Sequence, residues 1–447
     1  MKSTTIQTGK KVLQHSKKVI NLFPLALFLT ALILITNNTA MAQQLVCPER
    51  SIQQITNDPV LESERPDINS PGSYIAFDSD SNINGGNPNN NTEVFLYDTT
   101  TDVFTQITDT TSGFNITASI SDDANIIAFE STANITGQNP DGSREIVFFN
   151  RATSTFTQIT DDPNTGNRSR QPSVSDDGDF IAFRSEFSIN GGNPENNNEI
   201  YLYNVNTGVI TQITTTMTGE SYGPSISADG TYISFESEAD ISGLNPELNR
   251  DMFLFNTSFS SFTNLTNATS GDSFNGKISS DGQYVAFVSR SPLTPLFISG
   301  NQVYVVNTTT GAITQITNVD GNGSFPSPNA DGSIISFDFG GNLNGGNPEG
   351  NKEVYVYDMS NGVITQITQQ TTGDSDDPSI NGNGSLIAFE SNANINGGNP
   401  NGEEEIYLAT CFIPEPIPTL SEWGLIAMAS ILGIAGFVVI RRRKVTA

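Results

Sequence analysis

The sequence predicts an all-β fold, a seven-bladed β-propeller of four-stranded antiparallel blades, and three observations support this prediction. An apolar triplet recurs seven times at a spacing of about 52 residues. A turn-forming pair, commonly Asp-Gly, precedes most of the triplets. An aromatic strand that usually begins with an acid follows each triplet, and a Gln-Ile-Thr strand comes after it in most repeats. Repeats of this length with several short strands are typical of radial β architectures.

Each repeat contains four strand signals, named A to D in chain order. Strand A is a short Ser-Ile-Ser type segment, as at Ser225–Ser227, and a pair such as Asp229-Gly230 then predicts a tight hairpin turn. Strand B holds the triplet, which is apolar on both faces and therefore expected to be covered on both, as blades stacked around an axis would be. A solenoid is the weaker alternative. The triplets are Ile75–Phe77, Ile127–Phe129, Ile181–Phe183, Ile233–Phe235, Val285–Phe287, Ile335–Phe337 and Ile387–Phe389.

The ring is predicted to close with a strand from the N-terminal side of the chain. No Gln-Ile-Thr segment follows the seventh aromatic strand, whereas a spare copy stands at Gln54–Thr56. This segment is expected to serve as strand D of the last blade, near Tyr407, which removes the open edges of the array. The chain has two cysteines, and alignment of the repeats places Cys47 and Cys411 at the same point of the missing C–D hairpin. We therefore predict a disulfide in an oxidising compartment, with two free thiols as the alternative.

Two apolar segments flank the repeats and predict export. Residues 1–42 contain lysines, an apolar run and a final Ala40-Met41-Ala42, in the order of a signal peptide; an uncleaved membrane anchor is the alternative. The apolar stretch 423–440 precedes a basic cluster that favours a cytoplasmic location. The expected organisation is a signal peptide over 1–42, the propeller over 43–411, a linker over 412–422, a transmembrane helix over 423–440 and a cytoplasmic basic tail over 441–447.

Charge limits the expected partners of the repeat region. The chain has 20 basic and 48 acidic residues, a formal net charge of −28. The repeats are still more acidic than this figure suggests, because nine of the cations lie in the terminal segments: Lys2, Lys10, Lys11, Lys17, Lys18, Arg441, Arg442, Arg443 and Lys444. Such a surface repels nucleic acid and anionic lipid, so neither is expected to bind the repeats.

The repeats resemble those of the TolB-type periplasmic propeller family, as in Pro224–Gly230 followed by Ile233–Phe235, or in Glu199–Tyr203. The resemblance spans most of residues 52–410 and implies a non-catalytic binding propeller. This chain departs from TolB itself, which has six blades after a separate α/β domain, so a role in the Tol-Pal complex is not implied.

The C-terminal region resembles the IPTL-CTERM sorting tail. Its motif residues are Ile417, Pro418, Thr419, Leu420, Trp423 and Gly424, followed by the apolar span and the basic cluster. The resemblance implies processing by an exosortase-type membrane enzyme and transfer to the surface of a Gram-negative cell. A permanent membrane anchor, with the repeats facing the periplasm, is the alternative.

The repeats lack the residues of several kinds of catalytic site. The single histidine, His15, lies in the predicted signal peptide, so no Ser-His-Asp triad and no His-based zinc site is expected in the repeats. No catalytic residue, metal ligand or cofactor is predicted. The Asn-Gly-Gly-Asn-Pro segments between strands B and C are oxygen-rich, which leaves calcium as an alternative, but a turn role is favoured because Gly and Asn adopt left-handed conformations readily.

Two features of the rim formed by the B–C and D–A loops are candidates for binding. Arg144, Arg168, Arg170 and Arg184 come from neighbouring loops of repeats two and three and are candidates for binding an anionic group such as a uronate or carboxylate; solvated counter-charges are the favoured interpretation. Repeat five carries an apolar loop with Leu293, Leu296 and Phe297, for which packing between blades is the favoured interpretation and a partner surface the alternative. The sequence thus predicts a binding scaffold for a protein or an extracellular polysaccharide, with a carboxylate-dependent glycan hydrolase or lyase as the second hypothesis.

Overall fold

Seven four-stranded antiparallel sheets make up the computed structural model, which describes residues 47–48, 51–162 and 168–412. The predicted seven-bladed propeller is confirmed. Blade 1 holds β2 (Ser63–Ile68), β3 (Tyr74–Ser79), β4 (Glu93–Asp98) and β5 (Val103–Gln106). Blade 2 holds β6 (Asn115–Ile120), β7 (Ile126–Ser131), β8 (Glu145–Asn150) and β9 (Thr155–Gln158). Blade 3 holds β10 (Ser169–Val174), β11 (Phe180–Ser185), β12 (Glu199–Asn204) and β13 (Val209–Gln212).

The remaining blades follow the same plan. Blade 4 holds β14 (Ser221–Ile226), β15 (Tyr232–Ser237), β16 (Asp251–Asn256) and β17 (Ser261–Asn264). Blade 5 holds β18 (Ser273–Ile278), β19 (Tyr284–Ser289), β20 (Gln302–Asn307) and β21 (Ile313–Gln315). Blade 6 holds β22 (Gly323–Pro328), β23 (Ile334–Phe339), β24 (Glu353–Asp358) and β25 (Val363–Gln366). Blade 7 holds β26 (Ser375–Ile380), β27 (Leu386–Ser391), β28 (Glu405–Thr410) and β1 (Ile52–Gln54).

Strand B lies at the centre of each blade, as its apolar residues on both faces predict. Its triplet is fully buried in every repeat, and its phenylalanine faces an aromatic residue of strand C in six blades. Phe183 and Tyr201, for example, stack with ring centroids 5.6 Å apart. The core is therefore divided among the blades and the spaces between them, and the strands A form a closed ring in which β26 contacts β2.

The N-terminal strand closes the ring as predicted. β1 pairs with β28 in antiparallel register, with Gln54 opposite Tyr407. The loop after β1 adds a hydrogen bond from the Asp58 amide to the Glu405 carboxylate, 2.5 Å long. The predicted disulfide between Cys47 and Cys411 is present, at the position that a C–D hairpin occupies in the other blades.

A β-bulge in strand A recurs in all seven blades and joins each blade to its neighbour. The third residue of each strand A, called the bulge residue here, has a left-handed φ: Arg65, Thr117, Gln171, Gly223, Asn275, Phe325 and Asp377. Five bulge amides donate to a side chain of the preceding blade, as the Thr117 amide does to Asp78 at 3.0 Å. The acceptor is usually the fifth residue of strand B, which explains why acids recur there.

A second set of hydrogen bonds links the same strands further inside the ring. The fifth residue of strand A accepts a hydrogen bond from the sixth amide of the next blade, as Ser173 Oγ does from the Ile226 amide at 3.2 Å. Equivalent bonds, 3.0–3.2 Å long, occur at five boundaries between blades. Nearer the A–B turns, hydrogen bonds run from blade to blade around the whole circle and include Gly382 N to Ser70 O at 2.8 Å and Ser70 N to Asp122 at 3.1 Å.

The B–C turns depend on the Gln-Ile-Thr strands. Asn84 and its equivalents adopt the predicted left-handed conformation, in 3₁₀ turns at Ile83–Gly85, Ile189–Gly191, Ile241–Gly243, Leu343–Gly345 and Ile395–Gly397. A Cβ added to Gly86 would stand only 2.1 Å from Gln106 Oε1, so the glycine makes room for the glutamine. In blade 4 both partners change together, to Leu244 and Asn264, and the Asn264 amide group donates to the Leu244 carbonyl at 2.9 Å.

Several segments predicted from the sequence lie outside the described residues. These are the signal peptide 1–42, the sorting motif Ile417–Gly424, the transmembrane helix 423–440 and the basic tail 441–447. Within the described ranges, no helix is both long enough and apolar enough to span a bilayer.

Candidate binding site in the central channel

The strands A of all seven blades enclose a cavity of about 560 Å³ on the axis of the ring. Its floor is the circle of hydrogen-bonded A–B turns, where Gly382 leaves room for the Ser70 hydroxyl, since a Cβ there would lie 2.2 Å from Ser70 Oγ. Its mouth opens at the rim that carries the B–C and D–A loops, because strands A begin and strands B end there. The cavity therefore extends from the A–B turns to the rim of the B–C and D–A loops.

The arginines predicted to act together meet at this mouth. Arg144, Arg170 and Arg184 line the cavity, whereas Arg168 is exposed on the rim and bridges to Arg144 through the backbone. The expectation that they come from loops was only partly right, because Arg170 lies in β10 and Arg184 in β11. Their place in the channel wall therefore follows from the β10–β11 register, in which the two residues are paired, rather than from loop placement.

Arg170 and Arg184 form a like-charged pair across two strands. They lie directly opposite each other in the β10–β11 register. The ion pairs among the described residues involve Arg65, Arg144, Arg250 and Lys352, and neither Arg170 nor Arg184 is among them. The Nε–H group of each also has no hydrogen-bond partner within the described ranges. Neither guanidinium group therefore has an ion-pair partner among the described residues, and each keeps a buried Nε–H group without an acceptor.

The equivalent position of other blades shows how unusual this pair is. The residue that Arg184 replaces is a carboxylate in blades 1, 2, 4, 6 and 7, for example Glu130. Gln171 takes over the missing acceptor role, since its side-chain oxygen receives the Gly223 amide at 3.2 Å. Blade 3 has therefore lost a structural acid, and a neighbouring residue supplies the acceptor that the arginine cannot provide.

The surroundings hold the guanidinium groups in place, and the charge of Glu130 acts on both Arg170 and Arg184 without forming an ion pair with either. Arg184 donates to Asn198 Oδ1 at 2.7 Å and lies over the Tyr222 ring, 5.2 Å from its centroid. Arg144 is the exception, since it bonds Glu130 at 2.8 Å. Burial is the first cause that lowers the pKa of Arg170, followed by the charges of Arg144 and Arg184. A bound carboxylate would relieve both effects, because it would supply a counter-charge and hydrogen-bond acceptors.

The opposite wall of the channel is acidic. Asp377, the bulge residue of blade 7, and Glu390 of β27 both line the cavity. Burial raises the pKa of Asp377 to about 6, and burial followed by the Asp377 charge raises the pKa of Glu390 to about 9. At the floor, burial and then Asp176 raise the pKa of Asp122 to about 6. With a pKa of about 9, the Glu390 carboxyl group is protonated near neutral pH and can donate a hydrogen bond to a polar ligand.

The apolar loop of blade 5 divides into a packed part and an exposed part. Leu293 packs against the core between blades 4 and 5, while Phe297 is half-buried. Leu296 and Ile298 are 59% and 60% exposed on the rim. Packing between blades accounts for Leu293, so the partner surface predicted for this loop is reduced to the residues at its tip.

Metal binding receives no support from the described residues, among which no group of three or more His, Cys, Asp or Glu is arranged to hold an ion.

Sequence reasoning missed Lys277, Phe325, Asp377 and Glu390, which also line the channel. Lys277, Phe325 and Asp377 differ from the residues at the same positions of the other repeats, whereas Glu390 is the acid that recurs at its position. An alignment of the repeats by strand position, rather than by motif, would have shown where they differ.

Comparisons with known proteins concern the C-terminal motif and the fold. Residues 415–444 match the model of the IPTL-CTERM motif, so the tail predicted from the sequence is confirmed. No curated protein matches the chain.

Solved structures match most of the chain at low identity. An oligogalacturonate lyase in complex with manganese is 16% identical, with 84% of this chain and 96% of that one covered and a TM-score of 0.57. The β-propeller domain of the Trilobed protease from Pyrococcus furiosus is 12% identical, with 78% and 93% covered and a TM-score of 0.52. TolB from Acinetobacter baumannii is 17% identical, with 71% and 76% covered and a TM-score of 0.41. At identities this low, the likeness shows a shared fold and nothing about function.

Proposed function

We propose that this chain is an exported, anchored β-propeller that binds an acidic extracellular ligand, a polysaccharide or a protein, at the mouth of its central channel without transforming it. The observation that carries the proposal is the Arg170–Arg184 pair, which has no acidic partner among the described residues of a strongly acidic chain. Two guanidinium groups on adjacent strands present several donors to one carboxylate. The IPTL-CTERM motif at 415–444 supports export and sorting.

The position of the chain end suits display of this mouth. Cys411 follows β28 and donates its amide to Ser385 O at 2.7 Å, next to the A–B turn of blade 7. This rim is opposite to the one that holds Arg170 and Arg184, because β10 begins and β11 ends at the B–C side. A protein attached to a membrane or a cell surface through residues beyond 412 would therefore present its channel mouth outwards. Processing by an exosortase-type enzyme, which the tail implies, belongs to the same proposal.

Calorimetric titration of the purified full chain with an acidic oligosaccharide, tetragalacturonate, tests the proposal. Arg170→Gln should weaken binding by roughly tenfold or more, since charge-assisted hydrogen bonds contribute about 1.5–3 kcal/mol each. Arg151→Gln, at the opposite rim, is the matched control and should leave affinity unchanged. Equal affinities of the wild type and Arg170→Gln would refute the arginine site.

The Asp377–Glu390 pair favours a second candidate function, a glycan lyase or hydrolase that uses carboxyl groups. Two carboxyl groups whose pKa values are pushed apart are the arrangement that acid–base catalysis requires. An oligogalacturonate lyase shares the fold of this chain. Product analysis after long incubation with acidic glycans decides between the two functions. Turnover that Asp377→Asn abolishes would establish the enzyme, whereas saturable binding without any product supports the binding protein.

A further inference from the structure

Blade 6 lacks the contacts that join most blades near the channel. At the boundary between blades 5 and 6, Val288 stands where five other blades have a carboxylate. Lys277 stands where five other blades have serine, and it cannot accept a hydrogen bond. The residue that would donate to it is Pro328, which has no amide hydrogen. The two changes match, so the lost bond leaves no donor unsatisfied there.

The same changes place two unusual side chains in the channel wall. Phe325 is the bulge residue of blade 6, with a φ of 43° and 40% of its surface exposed. The left-handed φ belongs to the bulge that recurs in all seven blades, whereas a bulky aromatic residue at this position is particular to blade 6. Lys277 is exposed, lines the same cavity, and forms no ion pair among the described residues. An aromatic ring and an ammonium group therefore face the space that the arginines border.

We propose that Phe325 and Lys277 form the second half of the ligand site and that the ligand is a carboxylated sugar. The exposed face of the Phe325 ring packs on the C–H face of a pyranose, and the Lys277 ammonium binds a carboxylate or a hydroxyl of the same chain of sugars. This inference rests on the proposed function, because Arg170 and Arg184 hold the other acidic group.

The remaining groups around the site suit a sugar better than an acidic peptide. Asn275, Asp67 and Asp377 line the cavity with Phe325 and Lys277, and the ammonium acts electrostatically on both aspartates. Hydroxyl groups both donate and accept hydrogen bonds, so they can satisfy amide and carboxylate side chains of this kind. The side chains of an acidic peptide carry only acceptors, whereas a carboxylated sugar carries hydroxyl donors beside each carboxylate.

Three probes separate charge from sugar in calorimetric titrations of the full chain: tetragalacturonate, its full methyl ester and tetraglutamate. Phe325→Asn copies Asn275, the bulge residue of blade 5, and Lys277→Ser copies the serine of five blades, so both variants suit the repeat. Phe259→Asn, at an 80% exposed phenylalanine in a C–D turn, is the matched control. Circular dichroism and thermal unfolding establish that each variant is folded.

Phe325→Asn should weaken tetragalacturonate binding roughly tenfold. The wild type should bind tetraglutamate more weakly than tetragalacturonate, and Phe325→Asn should leave the affinity for tetraglutamate unchanged. Phe325→Tyr should bind tetragalacturonate with the wild-type affinity. The methyl ester should bind weakly to the wild type. Unchanged tetragalacturonate affinity in Phe325→Asn, with a loss in Arg170→Gln, overturns this inference and leaves the proposed function standing. Equal affinity for tetraglutamate overturns the choice of a sugar. If neither anionic probe binds the wild type, the proposed function itself fails. If Phe325→Asn is unfolded, Lys277→Ser decides, and an unchanged affinity there overturns the inference.

Discussion

Arg170 of β10 and Arg184 of β11 lie directly opposite each other at the mouth of the channel. Like charges at directly opposite positions of an antiparallel pair destabilise the sheet. Blades 2 and 4 avoid this, since Ile116 faces Glu130 and Tyr222 faces Glu236 at the equivalent places. Blades 1 and 7 pair two acids there, Glu64 with Asp78 and Asp376 with Glu390, so blade 3 alone pairs two cations among the described residues. The pair thus lowers stability at a position where binding of an anion would compensate.

Arg170→Gln should therefore raise stability while it weakens binding. The gain in unfolding free energy is expected to be about 0.5–1 kcal/mol, the size of a cross-strand pair effect. Urea unfolding of this variant, beside the control Arg151→Gln, measures it. A loss of stability would mean that Arg170 supports the fold, and the argument for a ligand role would be weakened accordingly.

Removal of the Cys47–Cys411 disulfide should loosen the closing blade. The disulfide joins residues 364 positions apart. Removing it should lower the unfolding free energy by about 2–5 kcal/mol, because the unfolded chain is then no longer constrained by this long loop. In the double variant Cys47→Ser/Cys411→Ser, amide exchange should accelerate in β1 and in Glu405–Thr410 before it does in blades 2 to 5. Uniform acceleration across all blades would contradict the view that β1 is the point of closure.

The turn of blade 1 should depend on its neighbouring strand. Gly86→Leu should destabilise the chain by about 1–3 kcal/mol, because a Cβ would clash with the Gln106 side chain. Adding Gln106→Asn copies the Leu244–Asn264 pair of blade 4 and should restore most of the loss. Thermal unfolding of the two single variants and the double variant yields the coupling energy. Additive effects would disprove the pairing.

Stability should fall as pH rises from about 4.5 to about 9. Burial raises the pKa of Glu390 to about 9, so the folded chain holds a proton that the unfolded chain releases within this range. Glu390→Gln keeps an acceptor for the Arg65 amide and removes the charge. This variant should raise the unfolding free energy at pH 8 by at least about 1 kcal/mol, which is less than the free energy that corresponds to a pKa shift of one unit. It should have little effect on the unfolding free energy at pH 4. Glu195→Gln, at an exposed residue, serves as the control. A pH dependence equal to that of the wild type would exclude Glu390 as its source.

The blade count, the ring closure and the disulfide could be predicted because they follow from local signals. Strand alternation and turn pairs repeat every 52 residues or so, and a spare Gln-Ile-Thr segment has only one vacant place in a closed ring. The cysteines then aligned at one hairpin position. The clustering of Arg144 with Arg170 followed from the adjacency of blades 2 and 3.

The channel wall could not be predicted in the same way. Whether Phe325 points into the channel depends on the bulge in β22, which shifts the alternation of the strand after Ser324. The bond from the Ile226 amide to Ser173 joins residues 53 positions apart, and no local pattern marks it. Lys277 and Pro328 occupy the acceptor and donor positions of the equivalent bond between blades 5 and 6. Their joint replacement can be recognised only once that bond is known, so the sequence motifs did not reveal it.

A crystal structure of the full chain with tetragalacturonate tests the central claim most directly. The account predicts a carboxylate within hydrogen-bonding distance of both Arg170 and Arg184, in the mouth of the channel. A ligand bound on the outer strands of the blades, or in the channel with no acidic group at these two arginines, would contradict it.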